Sequence, residues 1–176
     1  MKDIFKSTQL TLALIAIYLI ALVWIIVLKF NIAFPYMQWQ RSINLIPFSE
    51  PLILNGKVDF GELILNVLIF VPLGLYVGIL FEKWNFAKKV ALFSSISFLL
   101  EVTQYILGIG VFDITDIINN TLGGLIGLMI YKGVEKAFKD RLKAQKSVNI
   151  LALAGTISIF SFLIFLKISR LWIFRM

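Results

Sequence analysis

Long apolar runs separated by short polar stretches set the pattern of the chain. The hydrocarbon core of a bilayer is about 30 Å thick, and a helix crosses it with roughly 20 apolar residues. Five runs meet or approach that length: Thr8 to Leu28, Gly61 to Leu80, Val90 to Leu107, Thr115 to Tyr131 and Val148 to Leu166. The pattern predicts an all-α fold, a polytopic membrane helix bundle with five transmembrane helices.

The stretch between the first two runs, residues 29–60, is the largest piece predicted to lie outside the membrane. Pro35, Pro47 and Pro51 prevent it from forming one regular helix. We therefore expect a long first extracytoplasmic loop. The NLIPF sequence at 44–48 is expected to lie on the membrane interface or to dip into the protein.

Composition supports a membrane protein over a soluble one. Hydrophobic residues make up 60% of the chain, charged residues 15%, and the mean hydropathy is +0.92. An ordinary soluble domain has about 25% charged residues, so the polar side chains are too few to cover a water-facing globule. Nothing indicates a second domain, and we predict a single transmembrane domain over residues 1–176.

The chain contains no cysteine and no histidine, which narrows the chemistry open to it. Thiol nucleophiles, disulfides, imidazole bases and zinc sites built on Cys or His are excluded. The net charge of +7 is typical of the basic cytoplasmic loops of a membrane protein. No nucleic-acid-binding motif accompanies it, and we predict no nucleic-acid partner.

The distribution of Lys and Arg predicts the orientation in the membrane. With five crossings, one side carries 11 of the 17 basic residues, and the other side carries six basic residues balanced by six acidic ones. Because cytoplasmic loops are the basic ones, we predict a cytoplasmic N-terminus and an extracytoplasmic C-terminus.

Polar residues follow one face of the third run. Ser94, Ser97, Glu101 and Gln104 are spaced 3, 4 and 3 residues apart, as on one side of a helix. Glu101 lies roughly 18 Å from the cytoplasmic end at 1.5 Å per residue, which places it in the outer half of the membrane. A charged residue there costs at least about 2.5–3.5 kcal/mol on insertion scales, so function is the default interpretation of Glu101.

The second and fourth runs, entering from outside, bring polar side chains to the same depth. Asn66 lies one turn into the second run, and Asp116 and Asn120 lie one turn apart in the fourth. Simpler roles are open for several residues. Asp113 and Asp116 suit a helix N-terminus, and Asn119 and Asn120 suit hydrogen bonds between helices. For Pro72, Gly123 and Gly127 we favour packing: a helix kink at Pro72, and close helix contact at the GxxxG pair.

Four sequence motifs resemble the VanZ-like family. They are RSINLIPF at 41–48, NVLIFVPLG at 66–74, EVTQ at 101–104 and FDITDIINNTLGGLIG at 112–127. The resemblance covers about 41–131, and the flanking runs 8–28 and 148–166 carry no signature beyond hydrophobicity. It implies a multi-pass protein of the bacterial cytoplasmic membrane, in a family named for a member linked to teicoplanin resistance, whose biochemical activity is not settled.

The resemblance also implies which residues form a binding site, with Gly123 beside them. They are Arg41, Asn44, Asn66, Glu101, Gln104, Asp113, Asp116, and Asn119 or Asn120. Many family members have an arginine in the turn before the FDI-like segment, where this chain has Gly110. Any pairing of arginine with the acids would then require Arg41, or one carboxyl would stay protonated.

Three functions are consistent with these residues. The first is binding or transport of membrane lipids, a lipid-linked cell-wall precursor or a lipoglycopeptide, with Arg41 suited to a phosphate or carboxylate. The second is an intramembrane enzyme acting on lipid-linked substrates, with Glu101 as the best catalytic candidate. The third is an ion-coupled carrier, which at this size would need to form a homo-oligomer. We predict no cofactor; a divalent cation on Glu101, Asp113 and Asp116 stays open as an alternative.

Overall fold

A computed structural model describes residues 3–27, 42–48, 53–54, 57–58 and 60–168 of the protein. Five α-helices occur in this part of the chain, preceded by a short 3₁₀ helix at Ile4–Lys6. They are α1 (Thr8–Ile26), α2 (Gly61–Leu80), α3 (Phe86–Leu107), α4 (Ile114–Phe138) and α5 (Arg141–Ile168). The all-helical prediction is confirmed. Within the described residues, α1, 63–80 of α2, and α3 are long and apolar enough to cross a membrane.

Three helices extend beyond the apolar runs that predicted them. Helix α3 begins at Phe86 because the Asn85 side chain accepts a hydrogen bond from the amide of Lys88, 2.9 Å away, and so caps the helix. Helix α4 continues through a basic segment to Phe138, and α5 begins at Arg141. Hydropathy locates the part of a helix that suits lipid, whereas backbone hydrogen bonding continues into the polar flank.

Four two-residue strands were not predicted from the sequence. Strand β1 (Ile43–Asn44) pairs in parallel with β4 (Phe112–Asp113), with Asn44 opposite Asp113. Strands β2 (Ile53–Leu54) and β3 (Lys57–Val58) form a small antiparallel pair. Most of the predicted loop 29–60, including Arg41, lies outside the described residues.

The contacts divide the chain into two compact units. The first combines Met1–Met37 with Gly133–Met176, and the second is Gln38–Lys132. The second unit coincides closely with the 41–131 stretch that carries the sequence motifs. The single-domain expectation stays a prediction.

In the first unit, the N-terminal ends of α1 and α5 are held together by buried polar side chains. Gln145 donates to the hydroxyl oxygen of Thr11 (3.0 Å), which donates to Asn149 Oδ1 (3.1 Å). Asn149 Nδ2 donates to the carbonyl of Phe5 (2.9 Å), and Lys146 pairs with Asp3 at 2.9 Å. Helices α1 and α5 therefore meet at their beginnings.

In the second unit, α2 and α4 run parallel and α3 runs antiparallel to α4. Val67, Val71 and Gly78 of α2 lie opposite Gly123, Gly127 and Tyr131 of α4, in rising order along both helices. On α3 the order is reversed, since Glu101 lies near Asp113 whereas Phe93 lies near Gly124. The beginnings of α2 and α4 and the end of α3 are therefore at the same end of this unit.

Large apolar side chains cover the outside of the second unit as well as filling its core. Phe70 and Phe93 are fully buried, whereas Leu65, Leu99 and Met129 are 64%, 61% and 71% exposed. An exterior of this kind suits lipid as the surrounding solvent. The long apolar helices and their exposed apolar side chains identify the chain as a membrane protein.

Candidate functional site

The entrance of α4 is organised by Asp113, the residue before the helix. Asp113 Oδ1 accepts a hydrogen bond of 2.6 Å from the amide of Thr115, which is the geometry of an N-terminal cap. Its other oxygen, Oδ2, accepts from Asn44 Nδ2 at 3.0 Å. Both carboxylate oxygens of Asp113 therefore hold the local backbone and the neighbouring segment in place, which is the capping role left open by the sequence.

The segment 42–48 is fastened to this entrance along its length. The amide of Phe112 donates to the carbonyl of Ser42 (3.0 Å), and the amide of Phe48 donates to the hydroxyl of Thr115 (3.0 Å). Phe48 has a positive φ of 57°, an unusual conformation for a bulky residue. The segment thus folds back over the beginning of α4.

Glu101 reaches the same place from α3. This helix ends at Gly108, whose left-handed φ of 67° suits glycine, and the chain then reverses towards Asp113. Glu101 Oε2 accepts a hydrogen bond of 3.1 Å from the amide of Asp113, and the residue is 1% exposed. The carboxylate lies at the positive end of the α4 dipole, which stabilises negative charge there. Gln104, one turn further along α3, is buried and packs against Gly110.

Asn66 brings α2 to the cluster. Its Nδ2 donates to Asp116 Oδ1 at 2.6 Å, a short distance typical of a hydrogen bond to a charged acceptor. The beginning of α4 is thus bonded to both neighbouring helices. Asn66 of α2 binds Asp116 in the first turn, and Glu101 of α3 binds the amide of Asp113 just before the helix. The structure brings Asn66, Glu101 and Asp116 together at one end of the second unit; their binding role stays a prediction.

One helical turn further along α4 from Asp116, serine hydroxyls of α3 form hydrogen bonds to α4. Asn120 Nδ2 donates to Ser97 Oγ at 2.8 Å, and Ser94 Oγ lies 3.1 Å from Thr121 Oγ1 within a hydrogen bond. Ser97 and Asn120 are 0% and 1% exposed. The sequence placed Ser94 and Ser97 on the polar face of the third run but not among the predicted binding residues, and Thr121 was missed. The 3-4-3 spacing with Glu101 was the signal that placed both serines on the contact face.

Further towards the other end, α2 and α4 touch through their backbones. A side-chain carbon added at Gly123 would collide with the Val67 carbonyl oxygen, and one at Gly127 with that of Val71. A carbon added at Gly74 would collide with the carbonyl oxygen of Gly124, and one at Gly124 with the ring of Phe93 on α3. We call Gly74, Gly123, Gly124 and Gly127 the glycine seam. Pro72 lies inside α2, close to this seam, and cannot donate a backbone hydrogen bond there.

The remaining features from the sequence are Asn119, Arg41 and the cation site that stayed open as an alternative. Asn119 is 6% exposed, and its Nδ2 finds no hydrogen-bond partner among the described residues. Arg41 lies outside the described part of the chain. No group of three or more Asp, Glu, His or Cys that could hold a metal ion occurs within the described residues. Glu101, Asp113 and Asp116 are thus not gathered there as a cation site.

Comparisons with known proteins agree with the motifs. A family model described as VanZ/LLP1 matches residues 15–139. The chain is also 36% identical over 141 residues to "Protein VanZ" of Enterococcus faecium, an alignment that covers 79% of this chain and 83% of that relative. No solved structure gives a significant match.

Proposed function

The chain belongs to the VanZ/LLP1 family, and from that premise we propose that it is a multi-pass protein of the bacterial cytoplasmic membrane associated with teicoplanin-type resistance. Its polar end binds the headgroup of an envelope lipid or of a lipid-linked molecule in the outer leaflet. The observation that carries the proposal is the meeting of Asn66, Glu101 and Asp116 at the beginning of α4. Hydrocarbon penalises such groups, so a cluster of them points to a function.

The glycine seam favours binding over conduction. Where α2 and α4 touch through backbone atoms, no room remains between them even for a methyl group. A molecule that enters from the polar end would meet this contact directly beneath Asn120. The described residues of the second unit thus favour a blind site over the ion-coupled carrier.

The hydrogen bonds of the acids favour binding over catalysis. Asp113 uses both oxygens to hold Thr115 and Asn44, and Glu101 accepts from a backbone amide. These bonds fix the positions of both carboxyl groups. A carboxylate-dependent enzyme would need an acid that exchanges a proton with substrate, and the contacts give Asp113 and Glu101 structural partners instead.

The segment 42–48 supports a lipid as the partner. Leu45, Ile46 and Phe48 are 65%, 69% and 58% exposed although the segment is fastened to the polar cluster. Apolar side chains held at the membrane surface suit contact with acyl chains. A headgroup bound beside Asp116 would then have its own chains next to these residues.

The meeting of α1 and α5 at their N-terminal ends supports the proposed topology. Because the two helices begin together, both begin on the same side of the membrane, which requires an even number of crossings between them. Four crossings by α1 to α4 satisfy this condition. The basic residues Lys143 and Lys146 at the start of α5 favour the cytoplasm for that side, so the proposed C-terminus is extracytoplasmic.

Gene replacement tests the proposal. Deletion of the gene is expected to increase susceptibility to teicoplanin, and the wild-type gene is expected to restore resistance. Glu101→Gln, which keeps the size of the side chain but removes its charge, is expected to restore little of it. Thr103→Val is a matched control on the same helix, because this exposed hydroxyl bonds to the carbonyl of Leu99 in its own helix. Full resistance with Glu101→Gln would remove the acid from the mechanism.

A further inference from the structure

Two neighbouring asparagines on α4 carry buried polar atoms to which no described residue hydrogen-bonds. Asn119 Nδ2, a donor, and Asn120 Oδ1, an acceptor, have no hydrogen-bond partner among the described residues. The two side chains are 6% and 1% exposed. Buried polar side-chain atoms in native proteins nearly always have a partner, so each exception calls for an explanation.

These atoms lie on α4 below the polar residues at the beginning of the helix. Asn120 is one helical turn below Asp116, and its Nδ2 is already occupied by Ser97. One turn further down, Gly123 and Gly124 begin the glycine seam, where the helices touch. The unsatisfied donor and acceptor therefore lie along α4 between Asp116 at the polar end and the glycine seam.

The chemistry of the two atoms selects the kind of group that would satisfy them. An ionised phosphate offers acceptors but no donor for Asn120 Oδ1, and an ammonium offers donors but no acceptor for Asn119 Nδ2. A hydroxyl does both, and a group with several hydroxyls can serve the two atoms from different positions.

We propose that the site selects a headgroup with neutral hydroxyls, from glycerol or a sugar, and that Asn119 and Asn120 bind these hydroxyls. The inference rests on the proposed function and deepens it by naming the ligand class. Asn119 is then a residue kept for binding at the expense of stability, since the described structure gives its amide donor no other use.

Lipid binding to the purified full-length protein in nanodiscs or detergent tests this by native mass spectrometry. The probes are phosphatidylglycerol, a glucosyldiacylglycerol and phosphatidic acid, which lacks a headgroup hydroxyl beyond its phosphate. We expect the wild type to prefer one or both hydroxyl-bearing lipids over phosphatidic acid by about 3- to 10-fold, the effect of one or two neutral hydrogen bonds. The first two probes distinguish glycerol from sugar as the source.

Asn119→Leu is the decisive variant, because leucine has nearly the same shape and removes an unsatisfied donor. We expect its thermal unfolding temperature to equal or exceed that of the wild type, while its preference for hydroxyl-bearing lipids disappears. An unchanged preference in this variant would overturn the assignment. Bound water would then be the partner of the two asparagines.

The wild-type comparison stands even if a variant fails to fold, and Asn119→Ala repeats the test with a smaller side chain. Equal binding of all three lipids would overturn the hydroxyl selectivity and leave the proposed lipid binding intact. Binding of none of them would overturn the proposed function together with this inference.

Discussion

The glycine seam predicts opposite effects for the same substitution at two positions of α4. In Gly127→Ala, the added methyl carbon would lie 2.9 Å from Cα of Gly74 and 3.0 Å from the carbonyl carbon of Val71, whereas ordinary contacts begin near 3.4 Å. Since these are backbone atoms, α2 and α4 would have to move apart by roughly half an ångström or more. Gly133 has no atom within 4 Å of such a methyl group.

The magnitudes follow from two known effects. Alanine stabilises a helix interior by roughly 0.5–1 kcal/mol relative to glycine, and overpacking costs about 1–3 kcal/mol. We expect Gly133→Ala to raise the free energy of unfolding by up to about 1 kcal/mol, and Gly127→Ala to lower it by about 1–2 kcal/mol.

The assay is unfolding of the purified protein in mixed micelles with increasing SDS, with helicity as the signal. Gly133→Ala is the matched control because it makes the same change on the same helix. If Gly127→Ala were as stable as Gly133→Ala, the backbone contact between α2 and α4 would be absent in the membrane protein, and the argument for a blind site would fail with it.

Two predictions concern the first unit. Asn149→Leu removes the bonds to Phe5 and Thr11 and is expected to lower the unfolding free energy by about 1–2 kcal/mol in the same SDS assay. Thr156→Val is the control, since the Thr156 hydroxyl bonds to a carbonyl within α5. An equal loss of stability in both variants would contradict the prediction. The hydrogen bond from Lys146 lowers the pKa of Asp3 below the ordinary value of an aspartate, so the contribution of this pair is fully present above that ordinary value and is lost as the pH falls through the lowered pKa. The stability difference between wild type and Asp3→Asn is therefore expected to stay constant from about pH 5 to 8 and to shrink only in stronger acid, and a change near neutral pH would refute the assignment.

The helices could be predicted because a helix that crosses the membrane requires a long, continuous run of apolar residues. Helix α2 matches its apolar run, Gly61 to Leu80, at both ends. The start of α3 was placed four residues too late, since Lys88 and Lys89 lower the hydropathy there, although Asn85 is a favoured capping residue. Capping was the better guide at this helix end, because it reports where backbone hydrogen bonds begin.

Contacts between distant residues could not be predicted in the same way. The pairing of Ile43 with Phe112 joins segments about 70 residues apart, and two-residue strands leave no periodic pattern. The bonds of Gln145 and Asn149 to α1 were also missed. Their spacing of four residues at the start of α5 marks one helix face, but a single sequence does not say which helix faces it.

The stretch FDITDIINN contains both residues that the fold holds in place and residues for which we propose a binding role. Asp113 caps α4, and the hydroxyl of Thr115 accepts a hydrogen bond from the amide of Phe48, so both side chains have contacts within the fold. Asp116 is bonded to Asn66, which ties α4 to α2. Only at Asn119 does a buried donor remain without a described partner. Asn119 is therefore the position at which the proposed binding role and a purely structural role predict different results, because its buried donor has no described partner that a substitution would remove.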